Sequence, residues 1–356
     1  MNLAFAINKK YILHFVVTLK SIENNFNNDT ICIYILSLDL TENDFLSVKG
    51  QFPRFKFIWK NLKGHDFKDF FVNAHISYET YFRILIPEVI NEEKVLYLDS
   101  DLIVRKSLEE LYNKNLDSFA VAAAYDYKAQ GRKEELGIPE GYDYFNAGVL
   151  LMNLKYWRSN NLTYELIKYV KDMKEKLTYW DQDALNAQLY DKVLMLEDTW
   201  NIQTASFESN NIDKSALVNP AIVHFTGASK PWHVSSNSLF QQEYLKYMYE
   251  TRCEGFKFIS DNVKGILKIK KDIYIWGAGL TGEKVYKYLG INIKGFIDSD
   301  KEKSGKEFCG KPIYLIQEIK KNEDIGILVC SGYYEEISNS LKNHGYQENK
   351  DFAHQM

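Results

Sequence analysis

Asp99 and Asp101 stand one residue apart in KVLYLDSDLIV (94–104), directly after a short apolar run that reads as a strand. Side chains alternate across an extended chain, so two residues separated by one share a face. Two carboxylates on one face repel, and each raises the cost of ionising the other. A divalent cation resolves that conflict, because Mg2+ and Mn2+ favour six-coordinate sites of carboxylates, waters and substrate phosphates. The same spacing also occurs in solvated turns, so the pattern by itself leaves both readings open.

A second stretch, IVHFTGASKPWH (222–233), offers the pair a partner. His224 ends an apolar run, and an imidazole beside two carboxylates favours Mn2+ over Mg2+. Gly227 lets the backbone approach a phosphate closely, and Lys230 adds a point charge to one. The alternative is a hydrogen-bonded structural histidine, followed by a glycine turn with an exposed lysine.

YWDQDALNA (179–187) sets Asp181, Gln182 and Asp183 at the head of a helical pattern. Acidic groups there cap free N–H groups and favour the helix dipole. Further on, IYIWGAGLTG (273–282) is a strand followed by G-x-G-x-x-G at Gly277, Gly279 and Gly282, and Asp298 follows Gly277 by 21 positions. Strand, glycines, helix and late acid fit a dinucleotide-binding fingerprint, with pyrophosphate on the helix N-terminus and Asp298 on ribose hydroxyls. The glycines equally suit a tight strand-to-helix turn that binds nothing. Whether a nucleotide sits there is open at the level of the sequence.

The elements that must position these groups alternate. Strand patterns at 3–7, 31–38, 55–59 and 95–98 are separated by helical spacing at 12–25, after Thr41, and at 77–90. Further strand patterns lie at 119–126 and 221–225, and an amphipathic helix at 162–173. Such alternation predicts a parallel sheet covered by helices, with ligands beyond the carboxyl ends of the strands. That is where Asp99 and Asp101 fall. The stretch 255–272 is lysine-rich and shows no clear period, so the sequence is divided as 1–255, a linker at 256–271, and a small domain at 272–356. Strand patterns at 273–276, 293–300 and 325–330 make that last part α/β as well.

Composition excludes several classes. Lys and Arg number 44 against 48 Asp and Glu, and a net charge of -4 gives no general attraction to nucleic acid. Cys32, Cys253, Cys309 and Cys330 lack metal-type spacing and read as free thiols of a reducing compartment. The first residues start a strand with no signal-peptide pattern, and no apolar run nears the roughly 20 residues that span a bilayer. The expected location is cytoplasmic. KGILKIKK (264–271) carries enough charge to touch an anionic membrane surface, and reads equally as a solvated linker.

HISYETYFRI, KVLYLDSDLIV, YFNAGVLLMNLKYWR, YWDQDALNA and HFTGASKPWH follow one another in this order. Together they resemble glycosyltransferase family 8, above all the bacterial lipopolysaccharide galactosyl- and glucosyltransferases. The resemblance runs from about residue 3 to about residue 235. It implies a GT-A-type nucleotide-diphospho-sugar transferase domain, followed here by the small Rossmann-like domain. It also implies transfer of glucose or galactose from a UDP-sugar, with retention, to a glycan or lipid-linked glycan acceptor. By similarity Asp99, Asp101 and His224 hold Mn2+, with Mg2+ as substitute, on the donor diphosphate, and Lys230 and Gly227 meet a phosphate. Tyr11 stacks on uracil, which Ala6 and Asn8 hydrogen-bond. Related enzymes often carry an acid where Asn8 stands. Arg83 is expected on phosphate or ribose, and Ser100 on ribose. Asn146, followed by Ala147 and Gly148, is expected beside the sugar, with Asp126 lining the same pocket. Asp181 binds sugar hydroxyls and Gln182 lies below the anomeric carbon. A neutral amide is a poor nucleophile, so front-face displacement is expected, with Gln182 stabilising an oxocarbenium-like transition state. Two other functions compete: a UDP-sugar-binding regulator with little turnover, and a nicotinamide-dependent oxidoreductase built on the terminal domain.

Overall fold

The computed structural model describes residues 1–26, 30–63, 78–207, 214–227, 229–233, 236, 238–251, 261–331 and 333–355. The chain forms two compact units. The first is Met1–Ala228 with Ser238–Arg252, and the second is Ser229–Asn237 with Cys253–Met356.

Among the described residues ten strands build the first unit: β1 (Asn2–Ala6), β2 (Cys32–Ser37), β3 (Lys56–Asn61), β4 (Lys94–Leu98), β5 (Leu102–Val104), β6 (Val121–Ala124), β7 (Val149–Asn153), β8 (Val193–Leu196), β9 (Ile202–Gln203) and β10 (Ile222–His224). Seven of them form one sheet in the order β3-β2-β1-β4-β7-β6-β8. The expected parallel sheet is in fact mixed, because β7 runs antiparallel to both β4 and β6. A continuous apolar run such as VLLMN is buried on both faces whichever way it runs, so its direction leaves no mark on the pattern. Helices close the sheet. Thr41 caps the helix Glu42–Gln51 through a reciprocal box with Asp44. The helical pattern at 77–90 resolves into a 3-10 turn, Tyr78–Tyr81, and the helix Phe82–Val89; Ser77 lies outside the described residues. Tyr81, Phe82, Ile84 and Ile86 pack in one core with Tyr97, Leu150 and Trp157.

β5, β9 and β10 make a small separate sheet, with β5 antiparallel to β10. Its register sets Leu102 opposite His224, and Phe225 N–H donates to Asp101 O at 2.9 Å. On the other side Asp99 N–H donates to Gly148 O at 2.8 Å. Two short pairings thus bring together residues some 125 positions apart.

The second unit holds β11 (Asp272–Trp276), β12 (Gly295–Ile297), β13 (Glu307–Phe308), β14 (Lys311–Tyr314), β15 (Ile325–Val329) and β16 (Phe352–His354), in the order β13-β14-β12-β11-β15-β16. All pairs are parallel except β13–β14. The order reverses at β11, which puts the strand-to-helix turn of Gly277 to Gly282 at a topological switch point.

Two expectations need correction. The stretch read as a linker contains the helix Asp261–Ile269, whose Val263 and Ile266 are fully buried in the second core. Lysines between the apolar positions hid the i, i+3 spacing that drives this burial. The segment Ser229–Asn237, counted with the first domain, groups with the second unit. Lys284 Nζ donates to Ser236 O at 3.0 Å as part of that attachment. Among the described residues no helix is long and apolar enough to cross a membrane. Cys32, Cys309 and Cys330 are free thiols, and Cys253 lies outside the described residues.

Candidate active site

Asp99, Asp101 and His224 converge, with one ligand atom from each lying within 4.8 Å of the others. His224 Nε2 is 3.3 Å from Asp101 Oδ1 and 3.7 Å from Asp99 Oδ2. Neighbouring corners of an octahedron with bonds of about 2.1 Å lie about 3.0 Å apart, so these separations fit a small divalent ion. The other oxygen of Asp99 is occupied: Tyr97 OH donates to Oδ1 at 2.7 Å and Arg83 Nη2 lies 3.2 Å from it. That leaves Oδ2 facing the imidazole. Gly148 makes the approach possible, since a Cβ there would lie 2.2 Å from His224 Cε1 and 2.8 Å from Asp99 Oδ2.

A cleft of about 170 Å³ opens beside the pair, lined by Ala6, Asn8, Tyr11, Arg83, Ser100, Asp99 and Asp101 among others. Residues of AINKKY, YETYFRI and KVLYLDSDLIV thus line one cleft. Ser100 is buried, and Thr18 Oγ1 lies 3.0 Å from its carbonyl and 2.7 Å from that of Leu102, which fixes the bend carrying Asp99 and Asp101.

Arg83 lines the same cleft. Its guanidinium is 2.9 Å from Asp181 Oδ2 through Nε, donates to Ala147 O through Nη1, and stacks 4.7 Å over the Tyr97 ring. Burial disfavours its charge, but Asp181 and Asp99 outweigh that and hold it firmly protonated. In this arrangement Arg83 ties two carboxylates together at the wall of the cleft. Asp181 is 2% exposed, and burial pushes its carboxyl up to about 6 against the pull of Arg83 and the Thr80 hydroxyl. Thr80 Oγ1 donates to it at 2.6 Å.

The two acids around Gln182 divide their work. Asp183 takes the capping role, accepting from Thr178 N–H at 2.7 Å and Tyr179 N–H at 2.9 Å. Asp181 points instead at Arg83. Between them Trp180 adopts φ 46°, a region that costs a non-glycine residue of order 1–3 kcal/mol and is found where a site fixes its geometry. Gln182 accepts from Ala147 N–H at 2.9 Å and donates to Asp126 Oδ2 at 3.1 Å. Asn146, expected beside the sugar, is buried and bonded to protein: its Nδ2 donates to Asp126 at 3.0 Å and its Oδ1 accepts from Gly148 N–H at 2.9 Å.

Gly227 has φ +76°, and a Cβ there would sit 3.1 Å from Ala205, so the turn itself requires glycine. Lys230 belongs to the segment that groups with the second unit, its ammonium 5.8 Å from the Trp232 ring.

Comparison with known proteins decides the family. Residues 2–236 match glycosyl transferase family 8. The chain belongs to that family. This family 8 glycosyltransferase is 32% identical over 194 residues to General stress protein A of Bacillus subtilis, covering 51% of this chain and 68% of that protein. It is also 32% identical over 176 residues to the lipopolysaccharide 1,3-galactosyltransferase of Salmonella typhimurium, covering 44% of this chain and half of the other. The structure of the galactosyltransferase LgtC with donor and acceptor sugar analogues superposes at a TM-score of 0.64 and 28% identity, over 71% of this chain and 96% of that one. Its α/β fold is of the GT-A kind. Residues 269–352 match the C2185-like N-terminal domain.

Sequence reasoning missed Asn201, Thr80 and Tyr97. Asn201 lies in an irregular stretch with no motif around it. Thr80 and Tyr97 sit inside quoted motifs, but nothing in their spacing marks them as partners of Asp181 and Asp99.

At the switch point of the second unit, Gly277 has φ +122° and its Cβ would meet Cys330 O at 2.8 Å, while a Cβ on Gly282 would lie 1.9 Å from Gly277 O. Gly279 faces open space. Asp298 Oδ2 accepts from Ala278 N–H at 3.0 Å and from Lys303 Nζ at 2.9 Å. A cavity of about 410 Å³ lies there, lined by Gly277, Asp298, Ser331 and Tyr333 among others.

Proposed function

We propose that this transferase moves glucose or galactose from a UDP-sugar, with retention, onto a glycan or lipid-linked glycan acceptor. The observation that carries the reading is the convergence of Asp99, Asp101 and His224 at the edge of the cleft lined by Ala6, Asn8 and Tyr11. Mn2+ suits the mixed N/O donor set, with Mg2+ as substitute. Bound there, the cation supplies Lewis-acid stabilisation to the charge that the departing diphosphate gains. The remaining work falls to the chain. Tyr11, Ala6 and Asn8 hold the base, Ser100 the ribose, and Asp181, fixed by Arg83 and Thr80, takes sugar hydroxyls. Gln182, a neutral amide held at both ends, offers a partial negative charge to an oxocarbenium-like centre and no carboxylate for a covalent intermediate. Front-face displacement follows, with a leaving phosphate oxygen taking the acceptor proton. The similarity to galactosyltransferases supports a hexose donor, and we read the reaction as cytoplasmic or at the inner membrane face. For the second unit we propose a nucleotide at the switch point, supported by its cavity and by the open space at Gly279.

The test is UDP release from a panel of UDP-sugars, with Mn2+ and with chelator, for wild type and Asp101→Ala. Slow hydrolysis of one sugar that needs metal and disappears in the variant is the expected result. UDP binding without turnover of any sugar, in the presence of candidate acceptors, would favour a regulator. Absence of UDP binding would sink the reading.

A further inference from the structure

His224 does not stand alone behind its ligand nitrogen. Its Nδ1 lies 3.1 Å from Asn201 Oδ1, and Asn201 Nδ2 donates to Asn146 Oδ1 at 2.9 Å. Asn146 Nδ2 and Gln182 Nε2 both donate to Asp126 Oδ2, at 3.0 and 3.1 Å. Asn201 is 1% exposed and Asn146 is 7% exposed, so water does not compete for these bonds. One continuous chain of hydrogen bonds therefore joins the imidazole to Gln182.

Backbone groups orient two of the three amides in that chain, and the third follows from them. Ala147 N–H can only donate, so the Gln182 atom it meets at 2.9 Å is the oxygen. Gly148 N–H fixes the oxygen of Asn146 in the same way, at 2.9 Å. Asn146 Oδ1 then needs a donor from Asn201, which turns the Asn201 oxygen toward His224. An oxygen facing Nδ1 requires a proton on Nδ1. Nε2 is consequently the nitrogen left to face Asp101 and Asp99.

We infer that Asn201 is a positioning residue that holds His224 in the Nδ1–H tautomer and couples the metal-type triad to Gln182. Outer partners of ligating histidines typically matter by about 10–100-fold in metal affinity. The inference rests on the transferase reading for its consequence, while the proton on Nδ1 follows from the amide network alone.

Long-range proton–nitrogen NMR on protein labelled with 15N-histidine reads the tautomer directly. At a pH where the ring is neutral, the His224 signal, assigned by its loss in His224→Gln, is expected in the Nδ1–H pattern. Asn201→Leu removes both bonds and should return the ring to the Nε2–H form that a free imidazole prefers. It should also weaken Mn2+ binding, read from the spin resonance of free Mn2+, by about 10–100-fold. Asn201→Asp keeps an acceptor for Nδ1–H but sets two acceptors against each other at Asn146. It should retain the tautomer and Mn2+ affinity while lowering kcat. An Nε2–H signal in wild type, or Mn2+ affinity within twofold of wild type in folded Asn201→Leu, overturns the inference. Should Asn201→Leu fail to fold, the tautomer in wild type and Asn201→Asp decides. Wild type that binds no Mn2+ but shows the Nδ1–H signal would refute the metal reading and leave the network standing.

Discussion

The guanidinium of Arg83 meets the carboxylate of Asp181 at 2.9 Å, with the two side chains 8% and 4% exposed. The same group reaches Asp99 at 3.2 Å, so one buried cation joins a carboxylate of the metal-type pair to a carboxylate beside Gln182. Breaking a buried pair by deleting one partner typically costs 3–5 kcal/mol, because the other charge stays behind. Arg83→Met should therefore lower stability of the first unit by about that amount, read from the urea midpoint. Arg83→Lys keeps a charge without the fork that spans two acids, and should recover only part of the loss. A fully stable Arg83→Met would show that the cluster does not support the fold.

The raised Asp181 carboxyl makes a pH prediction with a definite sign. Burial pushes it to about 6 in the folded chain, against an ordinary value of 3.8. Below 3.8 both states carry the proton. Between the two values the folded chain holds the proton that the unfolded chain has lost, so stability falls as pH rises through this window and then levels off. Asp181→Asn removes the proton exchange. The difference in stability between variant and wild type should thus drift in favour of the variant from about pH 4 to about pH 6, and be flat above it. A difference independent of pH would place the ionisation of Asp181 elsewhere.

Gly148 separates metal geometry from fold. A Cβ there would overlap His224 Cε1 at 2.2 Å and crowd Asp99 Oδ2 at 2.8 Å, both of them side-chain atoms. Those side chains must give way before the backbone does. Gly148→Ala is expected to weaken Mn2+ binding by at least about tenfold, a loss of the size seen when the surroundings of metal ligands are disturbed. UDP binding in chelator should change far less. Equal Mn2+ affinity in variant and wild type would contradict the assignment of Asp99 and His224 as ligands.

The Asp99–Asp101 pair was legible because two acids after a strand is a local pattern, and His224 because it ends a strand before a glycine turn. What was not legible is tertiary. Arg83 reads as an ordinary helix residue until Phe82–Val89 packs beside β4 and the turn at Trp180 brings Asp181 against it. Asn201 gains meaning only from His224 and Asn146, 23 and 55 positions away. Spacing could not tell Asp181 from Asp183 either, since both suit a helix start and only the backbone donors at Thr178 and Tyr179 assign the cap to one. The helix Asp261–Ile269 escaped notice because its solvent face carries the lysines and its buried face only a few apolar residues.

In the second unit the three glycines differ in what they owe to the backbone, which yields a paired test. Gly282→Ala would force a Cβ to within 1.9 Å of a backbone oxygen that has no side-chain freedom. It should lower the melting temperature of the second unit clearly, the strand-to-helix turn having to open. Gly279 has φ -151°, an extended value open to any residue, and nothing within 4 Å of a Cβ. Gly279→Ala should therefore lower the melting temperature only slightly, by the roughly 1 kcal/mol or less that separates the two residues at a helix N-cap. Nucleotide binding, followed by calorimetry with UDP-sugars and NAD, should nonetheless fall in Gly279→Ala, because the methyl group fills the space that a diphosphate would use. If wild type binds one of these ligands and Gly279→Ala binds it equally well, the ligand does not lie on the glycine turn. If wild type binds none of them, the glycines at 277 and 282 are explained by the turn alone.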